Sequence, residues 1–189
     1  MKFPNLYARE LWRRNWIMGP GLLVVGGALV IFNPRDKGLP ILIAECVIGA
    51  LLVLGFFGLF RRLSYVRPGE DGLLFNWSFP LKNTTIPYEQ IRAARVAPLK
   101  NAFPPERKSY VNNITKPLLD KPAVFLRLGG DEANVARISK RLGKRYAFDS
   151  TIAVPVDDPE SLAQEVSRRL PNRLQQQNLG GARRRKRRR

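Results

Sequence analysis

Few residues in this chain could do covalent or acid–base chemistry. Histidine is absent, and Cys46 is the single cysteine. The commonest general base and the commonest metal ligand are therefore missing. An intrachain disulfide and any multi-cysteine zinc or iron–sulfur site are excluded as well. Three groupings of other reactive types remain. Asp157, Asp158 and Glu160 stand close enough to work as paired carboxylates, but they fall where a helix begins, and negative charge there complements the helix dipole. Gly129-Gly130-Asp131 is a glycine turn, and no GxxxxGK[ST] phosphate loop follows a strand. Lys82, Tyr88 and Glu89 have no identifiable third group. The chain reads as non-catalytic, with no cofactor and no metal site.

The chemistry that the sequence does offer is electrostatic. Of 189 residues, 33 are Lys or Arg and 15 are Asp or Glu, a formal net charge of +18. The excess is unevenly placed. Residues 1–62 carry 8 basic and 3 acidic residues, residues 63–182 carry 18 and 12, and the last 7 are all basic. That run, Arg183, Arg184, Arg185, Lys186, Arg187, Arg188 and Arg189, repels itself and reads as a disordered interaction tail behind the linker Pro171–Ala182. A second basic group is Arg137, Lys140, Arg141, Lys144 and Arg145, in a stretch where Val135, Ile138 and Leu142 recur at helical spacing.

Two segments set where these charges can act. Trp16–Phe32 holds 17 residues without a charge, and Ile41–Phe60 holds 20 with only Glu45. As helices they would span about 26 and 30 Å, against a hydrocarbon core of about 30 Å. Asn33–Pro40, with two prolines and Arg35, Asp36 and Lys37, is a tight polar turn. The pair predicts a transmembrane helical hairpin over 16–62 (spans 16–32 and 41–60), after a cytoplasmic N-terminus over 1–15. Lys2, Arg9, Arg13 and Arg14 precede it and Arg61, Arg62 and Arg67 follow it. The positive-inside rule then places both termini in the cytoplasm, as a multi-pass protein of the inner (plasma) membrane. Gly19, Gly21 and the pair Gly26-Gly27 suit close helix–helix approach.

Residues 63–170 predict a mainly-β cytoplasmic domain. Strand candidates are Leu63–Arg67, Leu73–Phe79, Thr84–Pro87, Ile91–Ala97, Ala123–Leu128 and Thr151–Val156. They alternate in polarity and are joined by turn clusters, which suggests a small antiparallel barrel or sandwich. Pro98–Pro122, with five prolines and seven charged residues, reads as a long loop, of the kind that is usually functional or mobile. A closing helix starts at the N-cap Asp158 with Pro159 in its first position, and carries Leu162, Val166 and Leu170 as one apolar stripe. Residues 171–189 form the linker and tail.

The order of these parts resembles the bacterial pleckstrin-homology-like (bPH, YdbS/YdbT-like) membrane proteins. Ile86-Pro87-Tyr88-Glu89-Gln90-Ile91 resembles that group's isoleucine-proline-tyrosine-x-x-isoleucine signature, and Asp158-Pro159-Glu160 its closing helix start. The resemblance runs from about Ile17 to Leu170. It implies a PH-like barrel of two curved antiparallel sheets with a C-terminal capping helix, anchored in a membrane and without catalytic residues. The length of Pro98–Pro122 and the Arg183–Arg189 tail depart from the pattern. The turn Pro68-Gly69-Glu70-Asp71 is acidic, so specific inositide recognition there is not expected.

The expected function is a non-catalytic, membrane-anchored binding or scaffold module whose tail contacts anionic membrane lipid, each basic residue near the surface contributing about 1 kcal/mol. Two alternatives stay open. One is an accessory subunit with a protein partner in a larger membrane complex. The other is a tether for nucleic acid through the tail alone, which could neutralise several phosphates without sequence specificity.

Overall fold

The computed structural model describes residues 1–32, 38–76, 83–143 and 146–170. In chain order these form β1 (Phe3–Pro4), α1 (Leu6–Asn15), α2 (Met18–Phe32), α3 (Leu39–Leu63), β2 (Tyr65–Pro68), β3 (Gly72–Asn76), β4 (Asn83–Pro87), β5 (Ile91–Pro98), β6 (Pro122–Leu128), α4 (Glu132–Leu142), β7 (Ala147–Phe148), β8 (Thr151–Val154) and α5 (Pro159–Arg169). They divide into two units, Ala8–Leu63 and a second made of Met1–Tyr7 with the chain from Ser64 onward.

The first unit holds two helical segments long and apolar enough to cross a membrane. α3, with 25 residues, spans about 37 Å at the standard rise. Small residues form the seam between α2 and α3. A Cβ on Gly19 would lie 2.5 Å from Leu54 Cγ, and one on Gly26 would lie 3.2 Å from Cys46 Cβ. Ala50 is buried between them in sequence, on the same face of α3. Gly21 and Gly27 have nothing within 4 Å. Close approach therefore uses one glycine of each predicted group, spaced by seven residues. Away from the seam the side chains are uncovered: Val24, Ile31, Leu51 and Leu52 are 66–75% exposed. Glu45 is exposed too. On α1, Glu10 binds both Arg13 (2.8 Å) and Arg14 (3.1 Å).

The second unit has two antiparallel four-stranded sheets, in the orders β1-β2-β3-β4 and β5-β6-β8-β7. Among the described residues neither sheet closes on itself, so what the structure shows of the expected barrel or sandwich is two antiparallel sheets sharing one core. Both contribute to that core: Phe3, Val66, Phe75 and Ile86 from the first, and Ile91, Val124, Leu126 and Ile152 from the second. The passage from one sheet to the other is Ile86–Ile91. Ile86 and Ile91 are fully buried, Pro87 ends β4, and Tyr88-Glu89-Gln90 make one 3-10 turn. Gly72 is required opposite this corner, because a Cβ there would lie 2.5 Å from the Ile86 carbonyl oxygen.

The closing helix is built as its sequence predicts. The Asp158 carboxylate accepts from the Ser161 backbone N–H at 3.0 Å, satisfying one of the orphan donors of the first turn. Leu162 and Val166 are fully buried, and Leu170 nearly so. At the other end Arg169 and the Tyr88 hydroxyl both donate to the Gly69 carbonyl, fastening α5 to the β2–β3 turn.

Two regions differ from the expectation. The N-terminal residues belong to the β unit. Phe3 pairs with Val66 and Pro4 with Tyr65, while Asn5 bridges to Val156. Phe3, Asn5, Leu6 and Tyr7 are 2–7% exposed. The stretch 98–122 is an ordered cover rather than an open loop. Short 3-10 turns at Leu99–Ala102, Pro105–Tyr110 and Lys116–Leu118 carry Leu99, Phe103 and Leu118 onto Tyr7, Ala123 and Phe125, a second apolar cluster on the outer side of the β5–β8 sheet. Arg107 fastens this cover, with its guanidinium over the Tyr110 and Phe148 rings and donating to the Ala102 and Ala147 carbonyls.

Candidate functional site

The basic stretch after β6 is helical as its spacing predicts. α4 packs Ile138 and Leu142 into the core and ends at Gly143, whose φ of 84° suits glycine. Arg137, Lys140 and Arg141 are exposed, and spacings of three and four put them on one face. The structure therefore brings three of the five predicted patch residues together. Lys144 and Arg145 lie outside the described residues, as do the whole tail Arg183–Arg189 and Lys82.

Of the candidate catalytic groupings, Asp158 and Tyr88 each make a hydrogen bond within the fold. The hydrogen bond from Ser161 holds the Asp158 carboxyl below the ordinary carboxylate range. Burial pushes the Tyr88 phenol up, against the opposing pull of Arg169. Glu89 is exposed. Among the described residues, no group of three or more His, Cys, Asp or Glu could hold a metal ion.

Concave surface gathers around β5, an edge strand of its sheet. A groove of about 780 Å³ runs between β5 and α5, walled by Ala94, Val96, Ala163 and Leu170 with Arg95, Glu160 and Arg168 among its charged residues. On the outer side of the sheet a smaller cavity of about 360 Å³ is lined by Ala93, Arg95, Phe125, Arg127, Asp149, Ser150 and Thr151. Beside it, a third of about 460 Å³ shares Arg127, Asp149 and Ser150 and adds Arg92, Glu132 and Ser139.

Strand register explains how arginines meet there. Arg95 pairs with Phe125, and Arg127 with both Ala93 and Thr151. Val124, Leu126 and Ile152 fill the inner core, so the alternate residues Arg95, Phe125, Arg127 and Thr151 take the outer side. Between Ile91 and Ala93 the register shifts by one residue. This bulge leaves Arg92 unpaired and re-aims it, across Gly129, where a Cβ would lie 2.2 Å from Arg92 Nε. The Arg95 guanidinium sits over the buried Phe125 ring, 5.7 Å from its centroid.

Sequence reasoning did not single out Arg92, Arg95 or Arg127. Alternation along 91–97 and 123–128 carries a signal for Arg95 and Arg127, since each sits out of phase with buried neighbours. The bulge that adds Arg92 has no such signal. Comparison with family models, curated proteins and solved structures finds no match for this chain.

Proposed function

We propose that this chain is a membrane-anchored, non-catalytic binding module of the bacterial PH-like type. Two helices hold it at the cytoplasmic face of the inner membrane, and its basic tail contacts anionic lipid. The observation that carries the reading is the uncovered apolar surface of α2 and α3. A surface helix of a water-soluble protein shows a polar face, whereas here Val24, Ile31, Leu51 and Leu52 are apolar and stay exposed. Covering each such side chain is worth about 1.5–3 kcal/mol, and a bilayer covers all of them at once. The order of a β2–β4 meander, a corner, a second sheet and a closing helix supports the PH-like part of the reading. The seven tail charges support the lipid part.

The test begins with alkaline carbonate extraction of native membranes, from which the chain should not be released. In a Cys46→Ser background, Gln164→Cys on the exposed side of α5 should resist an impermeant maleimide in intact cells and react after lysis. Release by carbonate, or labelling of intact cells, would overturn the anchoring or the orientation. For the tail, full-length protein in anionic nanodiscs should show salt-sensitive energy transfer from a C-terminal dye to headgroup-labelled lipid. Equal transfer in neutral nanodiscs would remove the lipid role.

A further inference from the structure

We propose that the outer face of the β5–β6–β8 sheet binds a phosphate group, with Arg95 and Arg127 on either side of it. The inference deepens the reading of this unit as a binding module and is independent of the tail.

Four observations meet at this cavity. Arg95 and Arg127 stand diagonally on adjacent strands, because Arg95 pairs with Phe125 and Arg127 with Ala93. Diagonal neighbours of an antiparallel pair are about 7–8 Å apart. A tetrahedral anion placed midway can then take hydrogen bonds of about 2.8 Å from both sides. A planar carboxylate would be satisfied by one guanidinium fork, so the doubled arginine favours phosphate. Second, among the described residues no carboxylate is paired with Arg92, Arg95 or Arg127. Arg127 lines both outer cavities, with Arg95 in one and Arg92 in the other, and none of the three has the carboxylate partner that surface arginines commonly find. Third, the Phe125 ring beneath Arg95 holds that guanidinium at the cavity before any ligand arrives. Fourth, Ser150 and Thr151 line the same cavity and offer hydroxyl donors to the remaining phosphate oxygens.

Two carboxylates temper the site. Asp149 lines both outer cavities and Glu132 the adjoining one, so the five charged groups sum to +1. A bare anion is therefore not the best fit. Asp149 is suited to accept from a hydroxyl carried next to the phosphate, as in a glycerol phosphate. A volume of about 360 Å³ has room for several water-sized groups of about 30 Å³ each, which covers a phosphate with a small polyol. Such a group comes either from a lipid headgroup or from a soluble phosphate ester.

Arginine modification by phenylglyoxal, mapped by mass spectrometry on the full chain, reads the site without altering it. In neutral nanodiscs, glycerol 3-phosphate at about ten times its Kd should slow modification of Arg95 and Arg127 about tenfold, because only the unliganded fraction reacts. Arg137 and Arg141 on α4 should react at an unchanged rate. Titration of the same ligand into Arg95→Gln and Arg127→Gln should show affinity weakened about tenfold, with melting temperature unchanged for the exposed Arg127→Gln and slightly lowered for Arg95→Gln, which gives up its contact with the Phe125 ring. Asp149→Asn should tighten inorganic phosphate and weaken glycerol 3-phosphate. The same results are expected with the seven tail residues replaced by Gln. Nanodiscs containing phosphatidylglycerol distinguish the sources. Protection already present before ligand addition identifies a lipid headgroup, and protection that still needs soluble ligand identifies a phosphate ester. In neutral nanodiscs, equal reaction of Arg95 and Arg127 with and without ligand overturns the proposal, and so does equal slowing of Arg137 and Arg141. Neither result bears on the carbonate and labelling tests of membrane anchoring.

Discussion

Phe3→Ala tests whether the first residues of the chain are structural parts of a domain whose other strands begin only at Tyr65. Phe3 is 2% exposed and packs in the cluster that joins both sheets and α5. Removing a buried aromatic ring costs about 3–5 kcal/mol. A domain of this size is stable by about 5–15 kcal/mol, so the substitution should remove a large share of the total. The central strand β6, between β5 and β8, exchanges its amide hydrogens only on global opening. Hydrogen exchange read by mass spectrometry on a peptide covering Pro122–Leu128, with the full chain in nanodiscs, should accelerate by about two to three and a half powers of ten. Tyr7→Ala acts in the other cluster, where Tyr7 meets the Tyr146 ring edge-on at 5.1 Å. Tyr146 packs against both clusters, so the two costs should couple rather than simply add, and the double variant should be less stable than either single one. Lys2→Ala is the control, since Lys2 is exposed and contributes a cation–π contact with Tyr65 worth about 0.5–1 kcal/mol. If β6 exchanges at the native rate in Phe3→Ala, β1 is not part of the cooperative unit and the reasoning fails.

Two further outcomes follow from local geometry. Gly19→Ala places a Cβ against Leu54 and should destabilise the α2–α3 pair by about 1–3 kcal/mol, whereas Gly27→Ala meets nothing and should be neutral or gain a few tenths from helix propensity; unfolding in mixed detergent–SDS micelles compares them, and equal effects would reject the seam. Asp158 has its carboxyl held down by the Ser161 hydrogen bond, so its stabilisation is complete above the unfolded carboxylate pKa of about 3.9 and is lost as pH falls through the lower folded value. Asp158→Asn keeps a capping oxygen and should flatten that acid limb of a melting-temperature profile between about pH 5 and 2, and an unchanged limb would count against the cap.

Much of the fold could be read one segment at a time. The strands β2 to β6 appear close to their predicted places, because alternation of side chains records burial of one sheet face directly. Asp158 and Pro159 placed the start of α5 to the residue and the Leu162–Val166–Leu170 stripe its buried face, since capping and periodicity are local properties. What alternation could not show was β1. Two residues have no period, and Phe3 is buried only because Val66, 63 positions on, lies beside it. Nor could it show the cover over 98–122. Its 3-10 turns have neither the strand period nor the α-helical one, so Leu99, Phe103 and Leu118 looked isolated among prolines and charges.

The candidate site divides in the same way. The sequence by itself determined that this chain has no imidazole chemistry, two segments apolar enough for a bilayer and a charge excess concentrated at its end. These depend on which residues are present and in what order. Tertiary structure decided which arginines become neighbours. Arg95 and Arg127 are 32 positions apart in the chain and meet through the β5–β6 register, and Arg92 joins them through one extra residue in a strand. Register and bulges are set by pairing between distant segments, where a slip of one residue sends every side chain to the opposite face.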